Sequence, residues 1–180
     1  MDALESLRLL ADYNRWMNGR LFDAAERLPE RGRTEPRGAF FGSVSGTLGH
    51  LVTGDSLWLR RFMPLRCAGV LRGADAWLPR PAVSSEPRPP EPWAQLRALR
   101  QRIDALIVDW LASLAPDDLE TVVDYRNSRG EPNRLRLGLL LAHFFNHQTH
   151  HRGQATTLLS QAGVDPGVTD LLAILPREAP

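Results

Sequence analysis

Apolar residues recur along this chain at alternating spacings of three and four, the pattern of helices that pack against other helices. A first run ends at Pro29 and Gly32 and comprises Leu7, Leu10, Asn14, Met17, Leu21, Ala24 and Leu28. A second run ends near Pro64 and comprises Phe40, Val44, Leu48, Leu51, Trp58, Leu59 and Phe62. A third stops before Pro116 and comprises Trp93, Leu96, Leu99, Ile103, Leu106, Trp110, Leu111 and Leu114. These runs predict three amphipathic helices.

The segment after the third run lacks the helical spacing of apolar residues. β-Branched and aromatic residues flank the turn-forming sequence NSRG at 127–130, which is typical of a short β-hairpin. A fourth helix is predicted from Leu137 to Ala162, with Gly163 as its C-terminal cap. The tail carries a last apolar group, which we expect to fold back on the helices: Leu171, Leu172, Ile174 and Leu175.

A proline-rich stretch, PRPAVSSEPRPPEP at 79–92, separates the second and third helices. Proline lacks an N–H donor and restricts the residue before it, so this stretch is predicted to be a long crossover loop. The pattern indicates an all-α four-helix bundle in which two consecutive helices are not simple antiparallel neighbours. A chain of 180 residues most simply forms one domain, residues 1–180.

Composition excludes several classes of function. The chain is 43% hydrophobic and 24% charged with a net charge of +1, so nucleic acid is not an expected partner. All 22 basic residues are arginine, which rules out a Schiff-base lysine and a P-loop lysine. Apolar runs stay well short of the ~18 residues of a membrane span, and the N-terminus lacks a signal pattern. We therefore expect a cytoplasmic protein without membrane contact.

The single cysteine, Cys67, cannot form an internal disulfide, which favours a reducing compartment. We expect its thiol to be buried and inert.

Four of the five histidines lie within nine residues, in HFFNHQTHH at 143–151. On a helix they share one face, with His151 inside the apolar stripe and His147 at its margin. Imidazoles one turn apart can direct their nitrogens to a common centre, as in metal-binding helices. The remaining histidine, His50, lies on another amphipathic helix. The sequence therefore predicts that His50, His147 and His151 bind one divalent transition metal, zinc or nickel above all, with a coordination position left open.

Further polar residues are candidates for supporting roles. Asn14 and Asp55 fall within apolar stripes, so each needs a buried hydrogen-bond partner. Asn14 either fixes the helix register or lines the site, and Asp55 is a candidate for orienting another side chain. Gln154 returns to the histidine face, and His143 is a candidate for a hydrogen bond around the metal or for holding a substrate. His150 is expected at the surface.

Four stretches, which cover most of the chain outside the proline-rich loop, resemble one protein family. They are YNRWMNGRLF at 13–22, FFGSVSGTLGHLVTGDSLWLRRF at 40–62, YRNSRGEP at 125–132 and HFFNHQTHHRGQATTLLSQAGVDP at 143–166. With them the chain resembles the DinB-like (damage-inducible) family of metal-dependent four-helix proteins. The resemblance implies a bundle in up-down-down-up order, a divalent metal held by His50, His147 and His151, and a homodimer that packs through bundle helices.

The wider superfamily contains thiol-dependent S-transferases and isomerases that use low-molecular-weight thiols such as bacillithiol or mycothiol. The resemblance therefore implies a metal-dependent transferase that activates a thiol, or water, for transfer to a small electrophilic substrate. One alternative is a metal-dependent hydrolase in which His143 or Asp55 supplies the general base. Another is a non-enzymatic metal-binding module of the stress response, in which the ion chiefly holds helices together.

Overall fold

The structure is a computed structural model that describes residues 1–80 and 92–176. Within these residues the α-helices are, in chain order, α1 (Ala3–Glu26), α2 (Glu30–Thr34), α3 (Val44–Phe62), α4 (Gly69–Arg72), α5 (Trp93–Ser113) and α6 (Leu137–Gln161). Short 3-10 helices cover Pro116–Glu120 and Leu171–Ile174. The predicted crossover at 79–92 lies mostly outside the described residues. The protein is thus mostly helical, as predicted.

The predicted hairpin before the last helix is confirmed. Its strands, β1 (Val122–Arg126) and β2 (Pro132–Arg136), pair antiparallel, with Val123 opposite Leu135. The fully buried side chain of Val123 anchors this hairpin to the helices.

The predicted C-terminal cap of α6 is also confirmed. Gly163 has a φ of 76°, a backbone conformation that suits glycine. The N–H groups of Gly163 and Val164 donate to the carbonyl oxygens of Ser160 and Leu159. These two bonds form a Schellman motif, which satisfies the last turn of the helix.

The second helix begins later than its hydrophobic spacing predicts. Ser43 caps α3 by accepting a hydrogen bond from the N–H of Gly46 at 3.0 Å, as serine commonly does at helix N-termini. Phe40 therefore lies outside the helix and is 87% exposed. The prediction that Phe40 belongs to the apolar stripe of this helix is wrong.

The four long helices are α1, α3, α5 and α6. Both α1 and α3 pack against α5 and α6. Arg97, near the start of α5, pairs with Asp23 near the end of α1, so α1 and α5 run antiparallel. The ring of Trp58, late in α3, contacts that of His143, early in α6, whereas His50, early in α3, contacts the later His151. The helices α3 and α6 are therefore antiparallel too.

A layer of hydrogen-bonded polar side chains crosses the otherwise apolar interior. Every long helix contributes to this buried polar layer, whose members are Asn14, Asn18, Asp55, Arg100, Asp104, Gln148 and Arg152. The guanidinium of Arg100 lies at its centre, 2.6 Å from an oxygen of Asp55 and 2.9 Å from one of Asp104. Burial raises the pKa of Asp55 to about 6, against the opposing effect of Arg100.

The tail folds back on the helices, and three of its four predicted apolar residues are partly buried. Its backbone carbonyl groups accept hydrogen bonds from α1: Arg20 donates to Pro166 at 3.0 Å, and Tyr13 donates to Thr169. Of the predicted apolar group, Leu172 is 76% exposed, whereas Leu171, Ile174 and Leu175 are partly buried. Hydrogen bonds from α1 and partial apolar burial therefore both hold the tail.

The single cysteine is less buried than the sequence predicts. Cys67 is partly exposed. Its partial burial is the largest of the effects that raise the pKa of its thiol.

In the part of the chain that the structure describes, every helix is too short or too polar to cross a membrane.

Candidate metal centre

Three histidine side chains converge where α3 packs against α6. The Nε2 atom of His147 lies 3.3 Å from Nε2 of His50 and 3.1 Å from Nε2 of His151. One ligand atom from each residue lies within 4.8 Å of the other two. Nitrogen ligands of a tetrahedral zinc ion, at about 2.0–2.1 Å from the metal, lie about 3.3 Å apart. The donor set and its spacing therefore fit a single divalent ion.

A glycine on α3 makes room for this arrangement. Gly54 follows His50 by one helical turn and faces α6 across the interface. A Cβ atom at Gly54 would lie 3.0 Å from Cε1 of His147, closer than side chains normally pack. The ring of His147 occupies the space that a larger residue would fill. The sequence alone does not reveal this role of Gly54, because the close approach depends on how two distant helices pack.

Burial keeps the three imidazoles neutral. It is the largest cause that lowers the pKa of His50 to about 3 and that of His147 to about 4, and the neighbouring histidines lower both further. Burial also lowers the pKa of His151, which is only 8% exposed, although its hydrogen bond to Gln154 opposes this. Histidine binds metal in its neutral form, so all three rings are ready to bind at neutral pH.

Gln154 fixes the protonation of one ring. Its Oε1 atom lies 2.8 Å from Nδ1 of His151. Since an amide oxygen only accepts hydrogen bonds, Nδ1 carries the proton and Nε2 keeps its lone pair directed at the other two histidines. The amide nitrogen of Gln154 lies 3.2 Å from Nε2 of His150, to which it donates. Gln154 therefore lies directly behind His151.

An aromatic residue that sequence analysis missed covers the site. The ring of Phe41 stacks on His50 with a centroid distance of 3.8 Å and meets the edge of His151 at 5.4 Å. Gly42 turns the chain after it with a φ of 75°. A Cβ at Gly46 would lie 2.0 Å from the carbonyl oxygen of Phe41. Glycines on both sides of a serine cap were the signal in the sequence for this close-packed turn.

His143 lies beside the three histidines rather than among them. It is exposed, its ring centroid is 6.2 Å from that of His147, and its edge contacts Trp58 at 5.3 Å. His150 is also exposed, and its ring lies 4.8 Å from that of His151. Both residues extend the histidine face outward to the surface, in keeping with the positions predicted for them.

Asn14 and Asp55 lie in the buried polar layer. Asn14 donates to Asp104 at 3.2 Å and accepts from Arg152. Asp55 is fully buried, and its two oxygens accept hydrogen bonds from Arg100 and Gln148. Because Gln148 follows His147 directly on α6, the layer lies next to the site on its interior side. The two residues thus have the buried partners that the sequence predicts, but these partners are not the three histidines.

Comparison with known proteins identifies the family of the chain. The sequence model of the DinB family matches residues 3–178. The chain is similar to Protein DinB of Bacillus subtilis (strain 168), with 25% identity over 161 residues that span 89% of this chain and 88% of that protein. No solved structure matches the chain significantly. Because the family match extends over nearly its whole length, the chain belongs to the DinB family.

Proposed function

We propose that this protein is an enzyme that binds one divalent transition metal through His50, His147 and His151 and activates a thiol for transfer to a small electrophilic substrate. The observation that carries the proposal is the convergence of three neutral imidazole nitrogens at the spacing of metal ligands. An ion with three protein ligands and an open position acts as a Lewis acid that lowers the pKa of a bound thiol or water.

The residues around the histidines have separate roles in this proposal. Gln154 orients His151, and such supporting hydrogen bonds raise the affinity of metal sites. Phe41 shields the outer face of His50 from water. His143, exposed at the rim, faces an incoming substrate.

Thiol transfer is preferred to hydrolysis for a chemical reason. A thiolate is itself a strong nucleophile, whereas hydrolysis commonly relies on a general base. Of the two candidate bases, Asp55 is fully buried and hydrogen-bonded to Arg100 and Gln148. His143 alone remains for a hydrolase.

We further propose that the chain forms one domain, a four-helix bundle in up-down-down-up order. The antiparallel pairs α1 with α5 and α3 with α6 support this order. A parallel arrangement of α1 and α6 supports it too, because Tyr13 faces Arg152 while Arg20, further along α1, reaches Pro166.

A homodimer is proposed to form through α1 and α6. A surface groove of about 610 Å³ runs between the first halves of these helices, with mainly apolar side chains that include Leu7, Leu10, Leu139 and Phe145. Leu139 is 60% exposed, and a second subunit would cover it. We propose no nucleic-acid partner, since the net charge is only +1.

Elemental analysis of the purified protein tests the metal ligands. We expect about one zinc or nickel ion per chain, and little metal in His147→Ala or His151→Ala. The matched control is His150→Ala, which removes an exposed histidine of the same helix and should keep the metal. Full metal content in both ligand variants would reject the assignment.

An activity screen tests the reaction. Metal-loaded protein should consume glutathione in the presence of 1-chloro-2,4-dinitrobenzene, and the metal-free protein should not. Cleavage of nitrophenyl esters without a thiol would instead identify a hydrolase. If both assays are negative while chelation sharply lowers the melting temperature, the stress-response module becomes the better description.

A further inference from the structure

Arg61 lies on the same face of α3 as His50. The two residues are eleven positions apart, which leaves them about 20° apart around the helix axis. Helical side chains lean toward the N-terminus, and the guanidinium of Arg61 accordingly lies 4.5 Å from the ring of Trp58, one turn earlier. Its charged end therefore lies on the side of Arg61 that faces the histidines.

Arg61 is held in a defined position. Its guanidinium lies 5.1 Å from the ring of Tyr125 on β1, and its Nη2 donates to the carbonyl oxygen of Arg126 at 2.7 Å. The hairpin thus supplies one wall of the position, and Trp58 on α3 supplies the other. Two fixed aromatic rings and one hydrogen bond orient a guanidinium whose remaining N–H groups are available to a ligand.

The positive charge of Arg61 is partly buried. Throughout residues 1–80 and 92–176, no carboxylate lies within 4.0 Å of its nitrogens. Its helical neighbour Arg60, by contrast, pairs with Asp75 at 2.7 Å. Burial lowers the pKa of Arg61, which reflects the cost of removing the cation from water. A bound anion would offset that cost.

A continuous row of rings joins this cation to the candidate metal centre. Trp58 contacts Tyr125 at 5.3 Å and His143 at 5.3 Å, and His143 lies 6.2 Å from His147. Along α3, Arg61 is seven residues beyond Gly54, a rise of about 10 Å. A rise of this size is within the span of one extended small molecule.

We propose that Arg61 binds a carboxylate of the thiol substrate and thereby positions its sulfur at the site formed by His50, His147 and His151. The planar guanidinium suits two parallel hydrogen bonds to a carboxylate. The substrate class is then a flexible thiol whose carboxylate lies several bonds from the sulfur. This inference rests on the proposed function for the location of the sulfur, whereas the anion site itself rests on Arg61 and its neighbours.

Calorimetric titration of the zinc-loaded protein tests this role. Glutathione should bind about tenfold more tightly than its diethyl ester, because esterification removes both carboxylates. In Arg61→Gln, glutathione and its diethyl ester should both bind about as weakly as the ester binds to the parent. Arg61→Lys should restore part of the preference, since it restores charge without the planar fork. Arg66→Gln, which removes an exposed arginine, should behave like the parent.

A second arm separates this inference from the thiol chemistry. S-Methylglutathione keeps the carboxylates but has no thiol, and it too should bind more tightly than its diethyl ester only when Arg61 is present. If glutathione and its S-methyl form bind equally well, metal–sulfur binding and the proposed transferase fail while the anion site stands. Absence of binding by both acids, or a carboxylate preference that survives in Arg61→Gln, would overturn the role of Arg61.

Discussion

The missing side chain of Gly54 sets the position of His147. Because an added Cβ would lie 3.0 Å from Cε1 of that ring, Gly54→Ala should turn His147 away from His50 and His151. We expect zinc affinity to fall about tenfold or more, as for other disturbances of a ligand's support. Competition with a chromophoric chelator measures the change.

The control for this prediction lies on the same helix. Apart from its chain neighbours and the backbone of α3, no atom of the described residues lies within 4 Å of an added Cβ at Gly49. Gly49→Ala should therefore keep the zinc affinity and stabilise α3 by up to ~1 kcal/mol. If the parent, Gly54→Ala and Gly49→Ala bind zinc with equal affinity, the ring of His147 can accommodate the added methyl group without leaving its position.

The side-chain oxygen of Gln154 should contribute to zinc affinity. Gln154→Leu removes the acceptor that holds Nδ1–H of His151, so we expect zinc affinity to fall by about 10- to 100-fold. Gln154→Glu keeps an acceptor oxygen and should retain most of the affinity. Both are measured by the same zinc competition, and a loss of the same size in the two variants would argue against the hydrogen bond as the cause.

The sequence predicts the histidines of the site better than their surroundings. His147 and His151 share a helix face by spacing alone, and His50 is the one histidine outside that segment, so their grouping follows from few possibilities. The positions of Phe41 and Gly54 depend on a turn conformation and on the distance between two helices. The spacing of apolar residues along the sequence gives no information on either of these.

At the scale of the elements, the start of α3 controls the aromatic cover of the site. A Cβ at Gly46 would lie 2.0 Å from the carbonyl oxygen of Phe41, so Gly46→Ala must push the preceding turn away from the helix. We expect a loss of about 1–3 kcal/mol in the free energy of unfolding, measured by urea denaturation. Gly49→Ala is again the comparison, since it should keep or slightly raise the stability. An undiminished stability of Gly46→Ala would mean that the turn has an equally good alternative.

The helices were predictable to different degrees. α1, α5 and α6 have long apolar stripes and end near proline or glycine, and their ends lie within a few residues of those predicted. At the start of α3, Phe40 matches the helical spacing by coincidence, and the Ser43 cap decides the boundary instead. The helices α2 and α4 have five and four residues, which is too short for any period to be visible.

At the scale of the whole molecule, Arg100 neutralises two buried carboxylates from different helices. Arg100→Met would leave Asp55 and Asp104 without their cation in the interior, so we expect a loss of about 3–5 kcal/mol in the free energy of unfolding. Urea denaturation measures it. Arg97→Gln, on the same helix, breaks ion pairs at the surface with Asp23 and Glu26, and should cost at most about 1 kcal/mol. Similar losses in the two variants would contradict a central role for the buried polar layer.

Acid should destabilise the metal-free protein through its histidines. The pKa values of His50 and His147, about 3 and about 4, lie below the ordinary value of 6.5, mainly because of burial. Between pH 6.5 and 4 the unfolded chain therefore binds more protons than the native one, and the free energy of unfolding falls as the pH is lowered through this range. Melting temperatures of metal-free protein across the range measure this decline.

The double variant His50→Gln, His147→Gln isolates the histidine contribution to this pH dependence. Carboxylates titrate in both proteins, so the variant should keep the remainder of the acid response but show a shallower decline. Parallel curves would mean that the two rings titrate at their ordinary values.

The buried polar layer shows where sequence reasoning reaches its limit. Asn14 and Asp55 stand out because they interrupt apolar stripes. Arg100, Asp104 and Arg152 look like ordinary surface residues until the partner helices are in place. Charge composition gives the class of protein, but the pairing of charges inside it is a property of the tertiary structure.

The histidines lie at one margin of the interface between α3 and α6, while the apolar core and the polar layer hold the same helices together independently. Because these contacts do not involve the histidines, we expect an ion at this margin to leave and return while the helices stay folded. Which metal the protein carries would then depend on cellular supply throughout the lifetime of the chain. The metal found in one purified sample would reflect the metals of the growth medium as well as the affinity of the site.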